Sequence, residues 1–420
     1  MAADIGGDDP FRLLPDDLLR HVLSFLPNDD ALQTCVLDTR WRDLWRRATS
    51  LDFTFYDGRS DIEKSRRFKQ IVKLIICLRG NSPLVKCEMG SFGHEEDAEP
   101  LLAEYALTCQ VEELIVISSN YPNPTRYDAP FISRHLKILE FCNVYLQGCS
   151  LDFSSCPVLE DLALEHCCIH APSIVSKSLK RLWITGVCTF PLQFRISIVA
   201  PDLISLQLDR FSGLTPSLGH MPFLVSAYVG LLYGCQDFCT RKEQSCRDHE
   251  CGCHAYPADQ GLLLNRLTNV ASLELIAMHK MFIYRWDLER GPIFGKLKTL
   301  LLNDWFTPID LVCILRHSPI LEVLTLLLDK TKNHLRATGS QKSIEQPFVC
   351  AHLKVVNIQC IKVDEAVRKI LKILNTCGVF RDRISIKDTC FDSLSFSFQK
   401  HPHYTNCRSG CSSCHPIGVS

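Results

Sequence analysis

The sequence predicts an α/β fold, with a short helical unit at the N-terminus followed by many short parallel strands stacked in chain order. Three observations lead to it. Apolar residues between positions 11 and 50 recur at helical spacing. From Val111 onward one unit, apolar-x-x-apolar-x-apolar, returns at short intervals. The composition, 46% hydrophobic and 22% charged over 420 residues, is that of a globular chain with ample material for a core.

Composition also excludes. Lys+Arg 46 against Asp+Glu 47 leaves a net charge of −1, without the basic excess on which nucleic-acid binding by counterion release depends. No apolar run approaches the roughly 20 residues needed to span a bilayer. Met1 to Pro10 is acidic and glycine-rich, unlike a signal peptide, and is read as a disordered N-terminus (1–10). The expectation is a soluble protein of the cytoplasm and/or nucleus. The 23 cysteines are odd in number and spread along the chain, so they are read as reduced, small, buried hydrophobes.

Residues 11–50 read as one helical domain. Leu14-Pro15-Asp16-Asp17 starts a helix: proline presets φ, and the carboxylates complement the helix N-terminus. Leu18, Leu19, Val22, Leu23, Phe25 and Leu26 follow, and Pro27 ends it. Asn28, Asp29 and Asp30 offer caps for a second helix carrying Ala31, Leu32 and Cys35. In a third, Leu37, Trp41, Leu44 and Trp45 recur at i, i+4, i+7 and i+8, with Arg40, Arg42, Arg46 and Arg47 around them. About forty residues cannot bury this much apolar surface internally. The excess must cover the next domain or a partner.

These residues carry a resemblance. Leu14-Pro15-x-x-Leu18-Leu19-x-x-Val22-Leu23-Ser24-Phe25-Leu26-Pro27, followed by Cys35-Val36-Leu37-x-x-Arg40-Trp41-x-x-Leu44-Trp45, resembles an F-box. The resemblance implies a three-helix domain that docks on a Skp-type adaptor, which bridges to a cullin ubiquitin ligase. It also implies that Leu14, Pro15, Leu18, Leu19, Val22, Leu26 and Trp41 serve the fold or the adaptor contact. The sequence leaves those two jobs undivided.

The recurring unit appears as Val111/Leu114/Val116, Leu136/Leu139/Phe141, Leu159/Leu162/Leu164, Leu179/Leu182/Ile184 and Leu203/Leu206/Leu208. It returns as Val270/Leu273/Leu275, Leu297/Leu300/Leu302, Leu321/Leu324/Leu326 and Leu353/Val356/Ile358. The first group is spaced 20 to 25 residues apart, the period of leucine-rich repeats, whose units bury their apolar faces only by stacking. Only Leu159-x-x-Leu162-x-Leu164-x-x-Cys167 completes the longer pattern with Cys at its ninth position. A generic α/β protein with many buried strands is the competing reading. The whole chain resembles plant F-box proteins with irregular leucine-rich repeats. His352-Leu353-Lys354-Val355-Val356-Asn357-Ile358, then an amphipathic helix from Asp364 to Leu374, resembles their FBD-type C-terminal segment. The division expected is an F-box-like domain (11–50), an irregular leucine-rich-repeat solenoid with a parallel β-sheet (51–345), an FBD-like segment (346–390) and a disordered tail (391–420).

Alternation along each strand turns the residues between the three apolar ones toward the concave side. Asp161, Glu165, Arg181, Trp183, Gln207, Asp209, Thr299 and Asn303 are selected this way. Arg181, Trp183, Gln207 and Asp209 form the candidate target-binding patch, since Trp and Arg are over-represented among hot spots. The competing reading has Trp183 covered by a loop or neighbouring strand.

One stretch, 234–261, breaks the rhythm with Cys235, Cys239, Cys246, His249, Cys251, Cys253 and His254. Thiolate and imidazole are zinc ligands, yet paired C-x-x-C knuckles are absent and Cys251-Gly252-Cys253 is tight, so a flexible insert without metal is expected. The same holds for Cys407, Cys411, Cys414 and His415. Gly291 to Lys296 is one residue short of a P-loop, and no catalytic or cofactor motif occurs. The resemblance implies a non-catalytic, cofactor-free substrate receptor. Its partners would be a Skp-type adaptor, through it a cullin, and an unknown target protein. The alternative is a repeat scaffold that engages no cullin; a hidden Cys-dependent enzyme is a third reading.

Overall fold

The computed structural model describes residues 11, 13–23, 25, 39–54, 62–90, 98–118, 124–232, 234–237, 263–278, 281, 283–328 and 348–388. The second helix of the sequence reading, with Ala31, Leu32 and Cys35, lies outside these residues, as do both termini and most of the Cys/His-rich insert. Among the described residues the N-terminal unit has α1 (Asp16–Leu23) and α2 (Thr39–Leu44), the latter running into a 3₁₀ turn at Trp45–Arg47. Then β1 (Ser50–Phe53), α3 (Ile62–Arg79), β2 (Lys86–Met89), α4 (Ala98–Thr108) and β3 (Glu113–Ile117) open the array. It continues as β4 (Ile138–Cys142), β5 (Asp161–Glu165), β6 (Arg181–Thr185), β7 (Ser205–Leu208), β8 (Ser226–Leu231) and β9 (Ser272–Ala277). The last units are α5 (Ile283–Glu289), β10 (Thr299–Asn303), α6 (Pro308–Arg316), β11 (Val323–Leu328), β12 (Val355–Cys360), α7 (Glu365–Thr376) and β13 (Ile384–Asp388).

These thirteen strands form one sheet, every neighbouring pair parallel and every strand beside its predecessor in the chain. An open α/β sheet binds ligands where its strand order reverses. Here the order is monotonic, so that crevice is absent among the described residues. Register keeps the pattern aligned: Leu139, Leu162, Leu182 and Leu206 stand opposite one another, as do Phe141, Leu164, Ile184 and Leu208. All are buried, in a single apolar core that runs from Leu19 and Trp41 in the helices to Leu374 near the other end. Each such side chain contributes about 1.5–3 kcal/mol.

The chain turns after strands through left-handed residues at Asn143, His166, Gly186, Val187 and Arg210. Short strands on the return path, such as Tyr145–Leu146 with Cys168–Ile169 and Ser173–Val175 with Ser197–Val199, stack the coils a second time. Cys167, at the ninth position of its repeat, ties the coils there: its thiol donates to the Phe141 carbonyl of the preceding coil at 3.5 Å. Later units return through helices with strong starts. Thr307 and Asp310 form a reciprocal capping box before Pro308, and Asp364 accepts from the Val367 N–H at 3.0 Å. Each cap is worth ~1 kcal/mol. The expected helix beginning after Asp364 is α7, and β12 and β13 extend the same sheet.

Candidate interaction surfaces

The helical unit turns part of its apolar surface inward and part outward. Leu19 and Leu23 of α1 pack with Trp41 and Leu44 of α2 in the common core. The α1 entry is fixed by Arg40, which donates to Asp16 Oδ1 at 2.8 Å and to the Leu14 carbonyl at 2.5 Å. Phe11 meets Trp41 edge to face, with centroids 5.6 Å apart. On the opposite side Leu18 is 51% exposed, Val22 41% and Phe25 74%. These three recur at i, i+4 and i+7, one stripe of a helix carried into the residue beyond its end.

The residues the sequence grouped together differ in burial. Leu19 and Trp41 are interior, Leu14 is half-buried, and Pro15, Leu18 and Val22 face outward. Leu26 lies outside the described residues. Phe25 and the exposed Leu13 belong to the outward surface, though the sequence reading did not assign them to it. Their signal was available, since both lie in an amphipathic run whose inward stripe is already filled by Leu19 and Leu23.

Arg181, Trp183 and Gln207 lie on the sheet face turned away from the core, on directly paired strands, and Asp209 follows the end of β7. Arg181 donates to Asp161 Oδ2 at 2.6 Å across β5 and β6. Asp209 is buried: Oδ2 accepts from Arg210 Nε at 3.1 Å and Oδ1 from the Tyr228 hydroxyl at 3.3 Å. Burial raises the Asp209 carboxyl above its ordinary range, against the pull of Arg210. Gly230 makes room, because a Cβ there would stand 2.9 Å from Asp209 Oδ1. The expectation of an open aromatic at Trp183 is corrected. The indole is only 7% exposed, flanked in register by Ala163 and Gln207. Alternation decides which face a residue takes, but not whether its neighbours cover it.

Tyr228 was missed altogether. It forms a second apolar cluster on this face with Ile276 and Leu327, edged by Leu232 and Leu301. Toward the N-terminal end the same face is acidic. Burial, then the charge of Glu113, pushes Glu140 up to about 7, with Lys86 opposing. Burial and Asp52 likewise raise Glu88.

Among the described residues one cysteine–histidine contact stands out. Cys313 Sγ lies 3.5 Å from His317 Nδ1 on α6, but burial raises the thiol and lowers the imidazole, the reverse of a thiolate–imidazolium pair. Of the insert's Cys and His residues only Cys235 is described; burial and Asp237 raise its thiol to about 11. Among the described residues no group of three or more His, Cys, Asp or Glu side chains is placed to hold a metal. No helix among them is long and apolar enough to cross a membrane.

The chain is 28% identical to F-box/LRR-repeat protein At3g59200 of Arabidopsis thaliana, over 54% of this chain and 51% of the relative. It is 27% identical to F-box/LRR-repeat protein At4g14096 of the same plant, over 76% and 73%. The chain is a homologue of plant F-box/leucine-rich-repeat proteins. A putative FBD-associated F-box protein of Arabidopsis, At5g56820, is 26% identical over 54% of this chain and 58% of the relative. In the first and last of these, the chain spans little more than half of the relative's own length. No family model matches. The F-box/leucine-rich-repeat kinship agrees with the long parallel sheet, whose strands carry the recurring unit of the sequence.

Proposed function

We propose that this F-box/leucine-rich-repeat homologue is the substrate-recognition subunit of a Skp–cullin–F-box ubiquitin ligase, working in the cytoplasm and/or nucleus. The outward stripe of Leu18, Val22 and Phe25 carries the reading, because a helix that has already filled its core face has no internal use for a second apolar stripe. A Skp-type adaptor would cover that stripe together with Leu14 and Pro15, and would bridge to a cullin. The target would lie against the sheet face around Arg181 and Gln207. This subunit would supply proximity and orientation, leaving bond chemistry to the conjugating enzyme that the cullin recruits.

The test is co-purification of an adaptor and cullin with the full chain, against a Leu18→Asp, Val22→Asp variant. Burying two charges in place of two apolar contacts should cost about 2–4 kcal/mol, a loss of 30-fold or more in adaptor affinity. Binding at full strength by the folded variant would refute the adaptor assignment. Failure of the wild-type chain to bind any Skp-type adaptor would favour a repeat scaffold outside the ligase.

A further inference from the structure

The residue just before each strand from β3 to β12 belongs to a row across one edge of the sheet. Each N–H in it donates to the carbonyl of the preceding member at 2.8–2.9 Å. The row begins as a ladder of alternating charge, Glu112, Lys137, Glu160 and Lys180, with Lys137 on Glu112 at 2.8 Å and Lys180 on Glu160 at 2.7 Å. It ends as one, Lys298, Glu322 and Lys354, with Lys354 on Glu322 at 2.7 Å. Between the two runs the ladder stops. Ile204, Val225 and Ala271 stand in its place, the first two 42% and 51% exposed, and Phe223 in the turn before Val225 is 61% exposed. Scattered exposed apolar residues need no explanation, but contiguous ones mark a surface that meets a partner.

The flanks say what kind of partner. In the four residues leading into each strand from β6 to β10, the charged side chains are Lys177, Lys180, Lys296 and Lys298 against Asp202 alone. Lys180 and Lys298 bracket the gap, four strand spacings or about 19 Å apart, which an extended chain covers in about six residues. Ser205, Ser226 and Ser272 follow the three apolar residues, each half-buried, with the Ser226 hydroxyl donating to Ser205 Oγ at 3.2 Å. Hydroxyls beside apolar contacts suit an extended segment, whose backbone groups still need partners; a helix has satisfied its own.

We propose that this edge docks an extended apolar segment of the target protein that carries an acidic residue at each end, about six residues apart. The proposal rests on the reading of the array as the part that holds the target. The strip adjoins the face of Arg181 and Gln207, because Ser205 pairs with Arg181 in register. Apolar side chains of the segment cover Ile204, Phe223 and Val225, and its carboxylates meet the lysines at the two ends.

A displayed library of random twelve-residue peptides is selected on the immobilised full chain, and enriched peptides are synthesised and measured by fluorescence anisotropy. The expected consensus is an apolar run with Asp or Glu at both ends. Phe223→Asp with Val225→Asp should weaken these peptides about ten-fold or more, because it sets charges against apolar side chains. Lys296→Glu with Lys298→Glu should weaken them too, and binding should return with peptides carrying Lys at the matching end. All four substituted residues are exposed, and a wild-type melt in circular dichroism verifies that each variant folds. The proposal is overturned if no peptide is enriched, if the consensus lacks acidic residues, or if the folded variants bind undiminished. It is also overturned if light scattering shows a wild-type dimer that Phe223→Asp with Val225→Asp dissociates, since the occupant is then a second copy. Adaptor binding is read separately. Its absence beside a selected acidic consensus would sink the ligase reading and spare the strip, and the reverse result would sink the strip alone.

Discussion

Removing the indole of Trp183 takes a large side chain out of a place that solvent scarcely reaches. Truncation of a buried aromatic to alanine costs about 3–5 kcal/mol. Trp183→Ala should therefore lower the denaturation midpoint in circular dichroism. Arg181→Ala removes an exposed guanidinium but takes its hydrogen bond from the buried Asp161 carboxylate, so it should cost less, about 1–3 kcal/mol. Target capture is the readout for Arg181 and Gln207, and thermal stability is the readout for Trp183. Glu140 offers a second test on the same face. Its folded-state value near 7 lies above the 4.5 of an ordinary glutamate, so the fold binds its proton more tightly than the unfolded chain does. The contribution is favourable at low pH and is lost as pH rises from the ordinary carboxylate range through about 7. Glu140→Gln should be near neutral at pH ~5 and stabilising by roughly 1–3 kcal/mol at pH ~8. A pH-independent effect would refute the assignment.

Among the elements, α3 joins the helical unit to the array through its last residue. Arg79 is buried and paired to carbonyls: it donates to Arg46 at 2.8 Å, Ser82 at 3.2 Å and Pro83 at 3.0 Å. Burial lowers its pKa accordingly. Arg79→Ala would leave three interior acceptors without these bonds, a loss of about 2–4 kcal/mol in a denaturant melt. Arg79→Lys should recover little, since one ammonium lacks the planar fork that reaches all three. The elements also differ in how openly the sequence announces them. Leu139 with Phe141 and Leu182 with Ile184 are large aliphatic or aromatic residues at the recurring spacing, and their strands were read correctly. Leu84-x-x-Cys87-x-Met89 and Leu224-x-x-Ala227-x-Val229 have the same spacing, yet β2 and β8 went unread because Cys, Met and the small Ala stand where the other copies carry large aliphatic or aromatic residues. The outward stripe of α1 was half legible, since spacing separates Leu18 from Leu19 but does not reveal which face the array covers. Trp183 and Asp209 mark the limit: their burial depends on cross-strand neighbours such as Ala163 and Gly230, brought together only by the fold.

At the scale of the whole molecule, chain order and spatial order coincide, so each coil depends chiefly on its immediate neighbours. The Cys/His-rich insert interrupts this order between β8 and β9, yet those strands pair from Ser226↔Ser272 through Leu231↔Ala277 without a break. Both flanks of the insert are tied to the array by buried carboxylates. At its start, Asp237 accepts from Arg195 at 2.9 Å and 2.5 Å and from the Thr215 N–H at 2.7 Å. After it, Asp287 accepts from the Leu263 and Leu264 N–H groups at 2.9 Å and 2.8 Å. The connection is therefore anchored at points outside residues 239–254. Deleting 239–254 should keep both anchors and leave a single cooperative melt. The shorter closure should add about 1 kcal/mol of stability. Circular dichroism against temperature measures the first outcome, and elemental analysis of both purified proteins measures the second. A lost transition, or one zinc per chain that disappears with the deletion, would make the insert a folded metal module on which the array depends.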